Sequence, residues 1–96
     1  MYKVLISQQD KEQMRLIRES LLSGFDEVFI FCTSSGEETI DIVSKEHPDL
    51  VFQGIELNDF SGIDVATEVM KISSESHIVF LSCYDHFEFA RTANCL

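Results

Sequence analysis

Residues 47–65 read HPDLVFQGIELNDFSGIDV. Pro48 closes whatever helix precedes it, because a residue ahead of proline is driven out of the α region. The run LVFQGI at 50–55 is too short for a helix and rich in branched and aromatic side chains, so it reads as a buried strand. The segment NDFSG that follows is made of turn-forming residues. A helix over 63–72 comes next, with Val65, Ala66, Val69 and Met70 expected on its inner side. This stretch is therefore one strand–turn–helix unit.

The same unit recurs on both sides. YKVLIS at Tyr2–Ser7 reads as the first strand. The helix expected over 10–22 has Met14, Ile17 and Leu21 on one face. VFIFC at 28–32 is the second strand, and a helix over Gly36–Glu46 carries Thr39, Ile40 and Val43 on one side. IVFLS at 78–82 is the fourth strand, and 87–93 begins a fourth helix. Each helix start has a polar cap with a partner three residues on: Asp10 and Gln13, Ser35 and Glu38, Ser61 and Asp64, Asp85 and Glu88. Strand–helix alternation predicts an α/β fold, a doubly wound parallel sheet with helices on both faces. Functional groups in such sheets gather at the carboxyl ends of the strands. Here those are positions 7–10, 54–59 and 82–85.

The chain has 96 residues, 45% of them hydrophobic and 25% charged. That is one folded domain, with no apolar run near the ~20 residues of a membrane span. Seventeen acids against seven bases give a net charge of −10, which disfavours direct binding to nucleic acid or anionic lipid. The start MYKVLISQQD is not a signal peptide. Three cysteines (Cys32, Cys83, Cys95) form no CxxC and suit reduced thiols in a cytoplasmic protein. There is no GxGxxG and no GxxxxGK[ST], so nucleotide-phosphate loops are not expected. His47, His77 and His86 stand on separate elements and form no zinc spacing.

The stretches MYKVLI, SSGEETIDIV, HPDLVFQGIELNDFSGIDV and IVFLSCYDHFEFA together resemble the receiver domain of bacterial two-component response regulators. The likeness is greatest to receivers that precede AraC-type DNA-binding domains. It spans nearly the whole chain and implies a flavodoxin-like fold of strand order 2-1-3-4-5. By that pattern the 1–96 domain has strands in order 2-1-3-4 and lacks the fifth βα unit. The family's chemistry is phosphoryl transfer from a histidine kinase to an aspartate at the end of the third strand. Acids after the first strand hold Mg²⁺, a hydroxyl ends the fourth strand, and a lysine ends the fifth.

This chain departs from that pattern. Gly54 stands at the nucleophile's position, and Gln8 and Gln9 stand where the acidic pair is expected. Asp10 keeps its charge but serves equally well as a helix cap. Ser82 matches the hydroxyl. Glu56 would share the strand face of Gly54 if the strand continued, and Asp59 belongs to the turn. Together Gln8, Gln9, Asp10, Gly54, Glu56 and Ser82 would form a degenerate phosphorylation pocket, with no metal site, no cofactor and weak or absent Mg²⁺ binding.

The expectation is a non-enzymatic pseudo-receiver, a phosphorylation-independent interaction module that regulates transcription through a separate domain or partner. The alternative is a receiver phosphorylated on a non-standard acid near the third strand end. Partners are expected to be another protein or a second copy, through the exposed strand 77–82 and the fourth helix. Phe87 and Phe89 lie about 200° apart on a helix, so one of them should face a partner.

Overall fold

The computed structural model describes residues 1–81. Four strands and three helices alternate: β1 (Tyr2–Ser7), α1 (Lys11–Gly24), β2 (Val28–Thr33), α2 (Gly36–Glu46), β3 (Leu50–Gly54), α3 (Gly62–Ile72) and β4 (His77–Leu81). The strands pair in parallel in the order β2-β1-β3-β4. The doubly wound α/β sheet and its 2-1-3-4 order are as the sequence led us to expect.

Strand alternation sends side chains to two cores. On one face Val4 and Ile6 pack with Leu21 of α1. On the other, Leu5 and Val51 pack with Val43 of α2 and Val65 and Val69 of α3. Each fully buried Val or Leu side chain contributes about 1.5–3 kcal/mol relative to exposure. Met70 departs from expectation. It is 62% exposed, because it lies about 100° round the helix from Val69, beyond the stripe set by Val65, Ala66 and Val69.

β3 ends at Gly54, one residue earlier than the sequence suggested. Ile55 already belongs to the turn, where its carbonyl accepts from Gly62 N–H at 2.6 Å. A Cβ on Gly62 would fall 1.7 Å from the Gly54 carbonyl oxygen. Only glycine permits that approach, and it folds the β3–α3 loop tightly over the strand end. Glu56 consequently bridges Ser61 in the turn and is exposed. It does not share the strand face of Gly54.

The helix caps form at Asp10, Ser35 and Ser61. His47 ends α2 in the left-handed region at φ 46. That fits a residue barred from the right-handed helix by Pro48. Ser82, Cys83, Phe87, Phe89 and the cap expected at Asp85 lie outside the described residues, as does the helix over 87–93.

Candidate functional site

The carboxyl ends of β1 and β3 lie side by side, with Ser7 in register with Gln53. Gln8 leaves β1 and turns its side chain over Gly54. A methyl group built on Gly54 would lie 3.0 Å from Gln8 Oε1 and 3.1 Å from the Ser7 carbonyl oxygen. The space that a side chain at position 54 would enter is filled by the Gln8 amide. Gln8 is 5% exposed and is held from two sides. Asp10 N–H donates to Gln8 Oε1 at 3.1 Å, and Gln8 Nε2 donates to Gln13 Oε1 at 2.9 Å.

Asp10 in turn caps α1, accepting from the N–H groups of Glu12 (2.9 Å) and Gln13 (3.1 Å). In a capping box the residue three beyond the cap would reach back to the cap's own N–H. Here Gln8 takes that N–H and hands its own amide hydrogen to Gln13. Gln13 is thus a site residue that sequence reasoning treated only as a cap partner. Gln9 is exposed and takes no part in this arrangement.

A second polar chain runs beneath, on the α2–α3 side of the sheet. Gln53 Nε2 donates to Ser7 Oγ at 3.0 Å and to the Gly54 carbonyl at 3.2 Å. Ser7 Oγ and Thr39 Oγ1 are 2.7 Å apart, and Thr39 Oγ1 donates to the Ser35 carbonyl at 2.8 Å. Ser7, Thr39 and Gln53 are fully buried. Gln53 Oε1 has no hydrogen-bond partner among the described residues.

Asp59 does more than turn the chain. Its carboxylate accepts from Gly36 N–H (2.7 Å), Glu37 N–H (3.1 Å) and Ser35 Oγ (3.1 Å). The bond from Gly36, with those from Glu37 and Ser35, holds its pKa below the usual aspartate range against the opposing effect of desolvation. Asn58 adds a bond to Ser34 Oγ at 3.1 Å. The β3–α3 loop is thereby clamped to the start of α2.

The chemistry these groups support is limited. Gly54 has no side chain to accept a phosphoryl group. Among the described residues no three of His, Cys, Asp and Glu converge on a common point. Asp10 is committed to its cap and Asp59 to α2, while Glu56 is exposed in the turn that its backbone bridges. A neutral amide occupies the centre, and an amide is a poor match for Mg²⁺, which favours carboxylate and water oxygens in octahedral geometry. The donor set does not fit the ion.

A family model described as "Response regulator receiver domain" matches residues 4–94. The chain belongs to the response regulator receiver family. Among curated relatives, the sensory transduction protein LytR of Staphylococcus haemolyticus is 43% identical over 51 residues, covering 53% of this chain and 20% of that protein. The polar-differentiation response regulator DivK of Brucella ovis is 33% identical over 63 residues, 65% of this chain and 49% of that one. The receiver thus spans at most about half the length of these relatives. Among solved structures, the MaeR response regulator bound to beryllium trifluoride superposes with a TM-score of 0.77 at 19% identity, covering 97% of this chain and 76% of that one. A chain in the complex of histidine kinase ThkA with response regulator TrrA matches with a TM-score of 0.76 at 26% identity, covering 98% of this chain and 82% of that one.

Proposed function

We propose that this receiver is a phosphorylation-independent module of two-component signalling that works through protein contact. The observation that carries the reading is the Gln8 amide lying 3.0 Å from the position a Gly54 side chain would take. In a working site, clustered carboxylates repel one another until a cation or phosphoryl group settles the charge. Here the amides of Gln8 and Gln13 bond to each other. The paired amides need neither metal nor phosphate to be satisfied.

Its output would be contact in the cytoplasm with a protein partner or a second copy, without catalysis by the receiver itself. TrrA is seen in complex with a histidine kinase, which makes a signalling protein a natural class of partner. Control of transcription would come through a separate domain or that partner.

Incubation with acetyl phosphate or phosphoramidate and Mg²⁺, followed by intact-mass measurement, tests the reading. An unchanged mass is expected. Gain of one phosphoryl group would overturn it, and mapping that group to Glu56 or Asp59 would establish the alternative of a non-standard acceptor.

A further inference from the structure

Among the described residues β2 is the outermost strand on its side of the sheet, bonded only to β1. Thr33 accepts from Gln8 N–H at 2.9 Å, so the odd-numbered residues of β2 direct their backbone groups to β1. By strand alternation the N–H and C=O groups of Val28, Ile30 and Cys32 point outward, away from the sheet. The strand reads VFIFCT, with no proline and no charge to guard it. Its outer end also shows aromatic surface. Phe29 is 49% exposed and leans on Phe31, with ring centroids 4.8 Å apart.

We propose that the β2 edge joins two copies of this chain in an antiparallel, two-fold pairing centred on Ile30. Three features select this register. First, Ile30 faces its own copy and Val28 faces Cys32 of the partner copy. Each outward N–H and C=O then finds a mate, as hydrogen-bonded antiparallel pairs require. Second, Phe29 falls opposite Phe31 of the other copy, so the aromatic pair meets its twin in one four-ring cluster on the α2 side. Third, the charges match. Asp26 and Glu27 precede β2, exposed and without an ion pair among the described residues. Arg18 is likewise unpaired there. Desolvation holds the Cys32 thiol above its ordinary pKa, and the nearby Arg18 guanidinium opposes this. With Cys32 opposite Val28 of the second copy, each Arg18 on the α1 side lies toward the other copy's Asp26, the even-numbered acid of the pair.

An isologous pairing of this kind closes on itself. At the opposite margin the chain runs on from β4 past Leu81. No described residue lies along the outer side of β2. The inference does not depend on the state of the Gln8–Gly54 site.

Light scattering on the full chain, in reductant and at tens of micromolar, tests it. Twice the chain mass is expected. Cys32→Pro removes an outward N–H at an edge position, where proline is tolerated, and should raise the dissociation constant at least tenfold while leaving the circular dichroism unchanged. Phe29→Lys, at an exposed side chain, should do the same without altering the backbone. Met70→Lys on α3 should leave the dimer intact. A monomeric parent would overturn the proposal. So would a dimer that survives both edge substitutions, or one that only Met70→Lys dissolves.

Discussion

Gln8 Oε1 stands 3.0 Å from the point where a Cβ on Gly54 would be. The two positions are therefore coupled, and a double-mutant cycle can measure it. Gly54→Ala forces the Gln8 amide and the Ser7 carbonyl to give way, and is expected to cost about 1 kcal/mol. Gln8→Ala loses the bonds to Asp10 N–H and Gln13 and is expected to cost about 1 kcal/mol as well. The double variant should cost less than the sum by roughly 0.5–1 kcal/mol, read from urea unfolding at pH 7. Strict additivity would mean that Gln8 does not fill the space above Gly54.

The buried chain through Ser7 makes a prediction for each of its two ends. Gln53→Met keeps the volume and removes the Oε1 that has no partner among the described residues, but it also takes the Nε2 donor from Ser7 Oγ and the Gly54 carbonyl, so stability should fall by about 1 kcal/mol. Thr39→Val takes the acceptor from the Ser7 hydroxyl and one of two donors from the Ser35 carbonyl, which keeps the residue-39 N–H, and should cost about 1–3 kcal/mol. Denaturant midpoints of the two variants, compared with the parent, check both signs. Raised stability in Gln53→Met would mean that the burden of the unpartnered Oε1 outweighs the two Nε2 bonds.

Asp59 predicts an acid limb. Its carboxyl is held below the ordinary range chiefly by the Gly36 N–H, with help from Glu37 and Ser35. A group whose folded pKa is depressed stabilises the fold above its unfolded pKa, and that stability is lost as pH falls through the folded pKa. The window lies below about pH 4, the ordinary aspartate value. Asp59→Asn should lower Tm at pH 7 and flatten the fall of Tm in that window. Parallel Tm profiles for variant and parent would show that the clamp on α2 does not depend on the charge.

His47 holds a left-handed conformation at φ 46, which costs a residue with a Cβ roughly 1–2 kcal/mol. Its own N–H caps Val43 at 3.0 Å, a bond that any residue except proline keeps. His47→Gly should therefore raise stability by about 0.5–1 kcal/mol, measured by thermal or urea unfolding. A loss of stability would mean that the imidazole makes a contact worth more than the strain.

Much of this was legible in the chain. The strands LVFQGI and YKVLIS, and the caps at Asp10, Ser35 and Ser61, carry local signals of length, branching and hydroxyl or carboxyl chemistry. That Gly54, Gln8 and Gln9 stand where the family pattern has an acceptor and two acids was visible through the family resemblance. The division of labour between Gln8 and Gln9 was not. Adjacent strand-end residues face opposite ways, and only the pairing of β1 with β2 and β3 decides which one turns inward. Asp59 looked like a turn residue because its partners at Ser35, Gly36 and Glu37 come from another βα unit. Gln53 and Thr39 passed for ordinary members of a strand and a helix, since a buried polar chain leaves no local mark. Glu56 was misplaced by one strand residue, because the close approach of Gly62 to Gly54 ends β3 early.

The most direct measurement is a two-dimensional NMR titration of the parent with Mg²⁺ and beryllium fluoride, a mimic of the phosphoryl group, following the amide resonances of Gln8, Gln13 and Gly54. With Gln8 bonded to Gln13 over Gly54, none of the three should move. Saturable shifts at Gly54 and Gln8 would contradict the proposed phosphorylation-independent role.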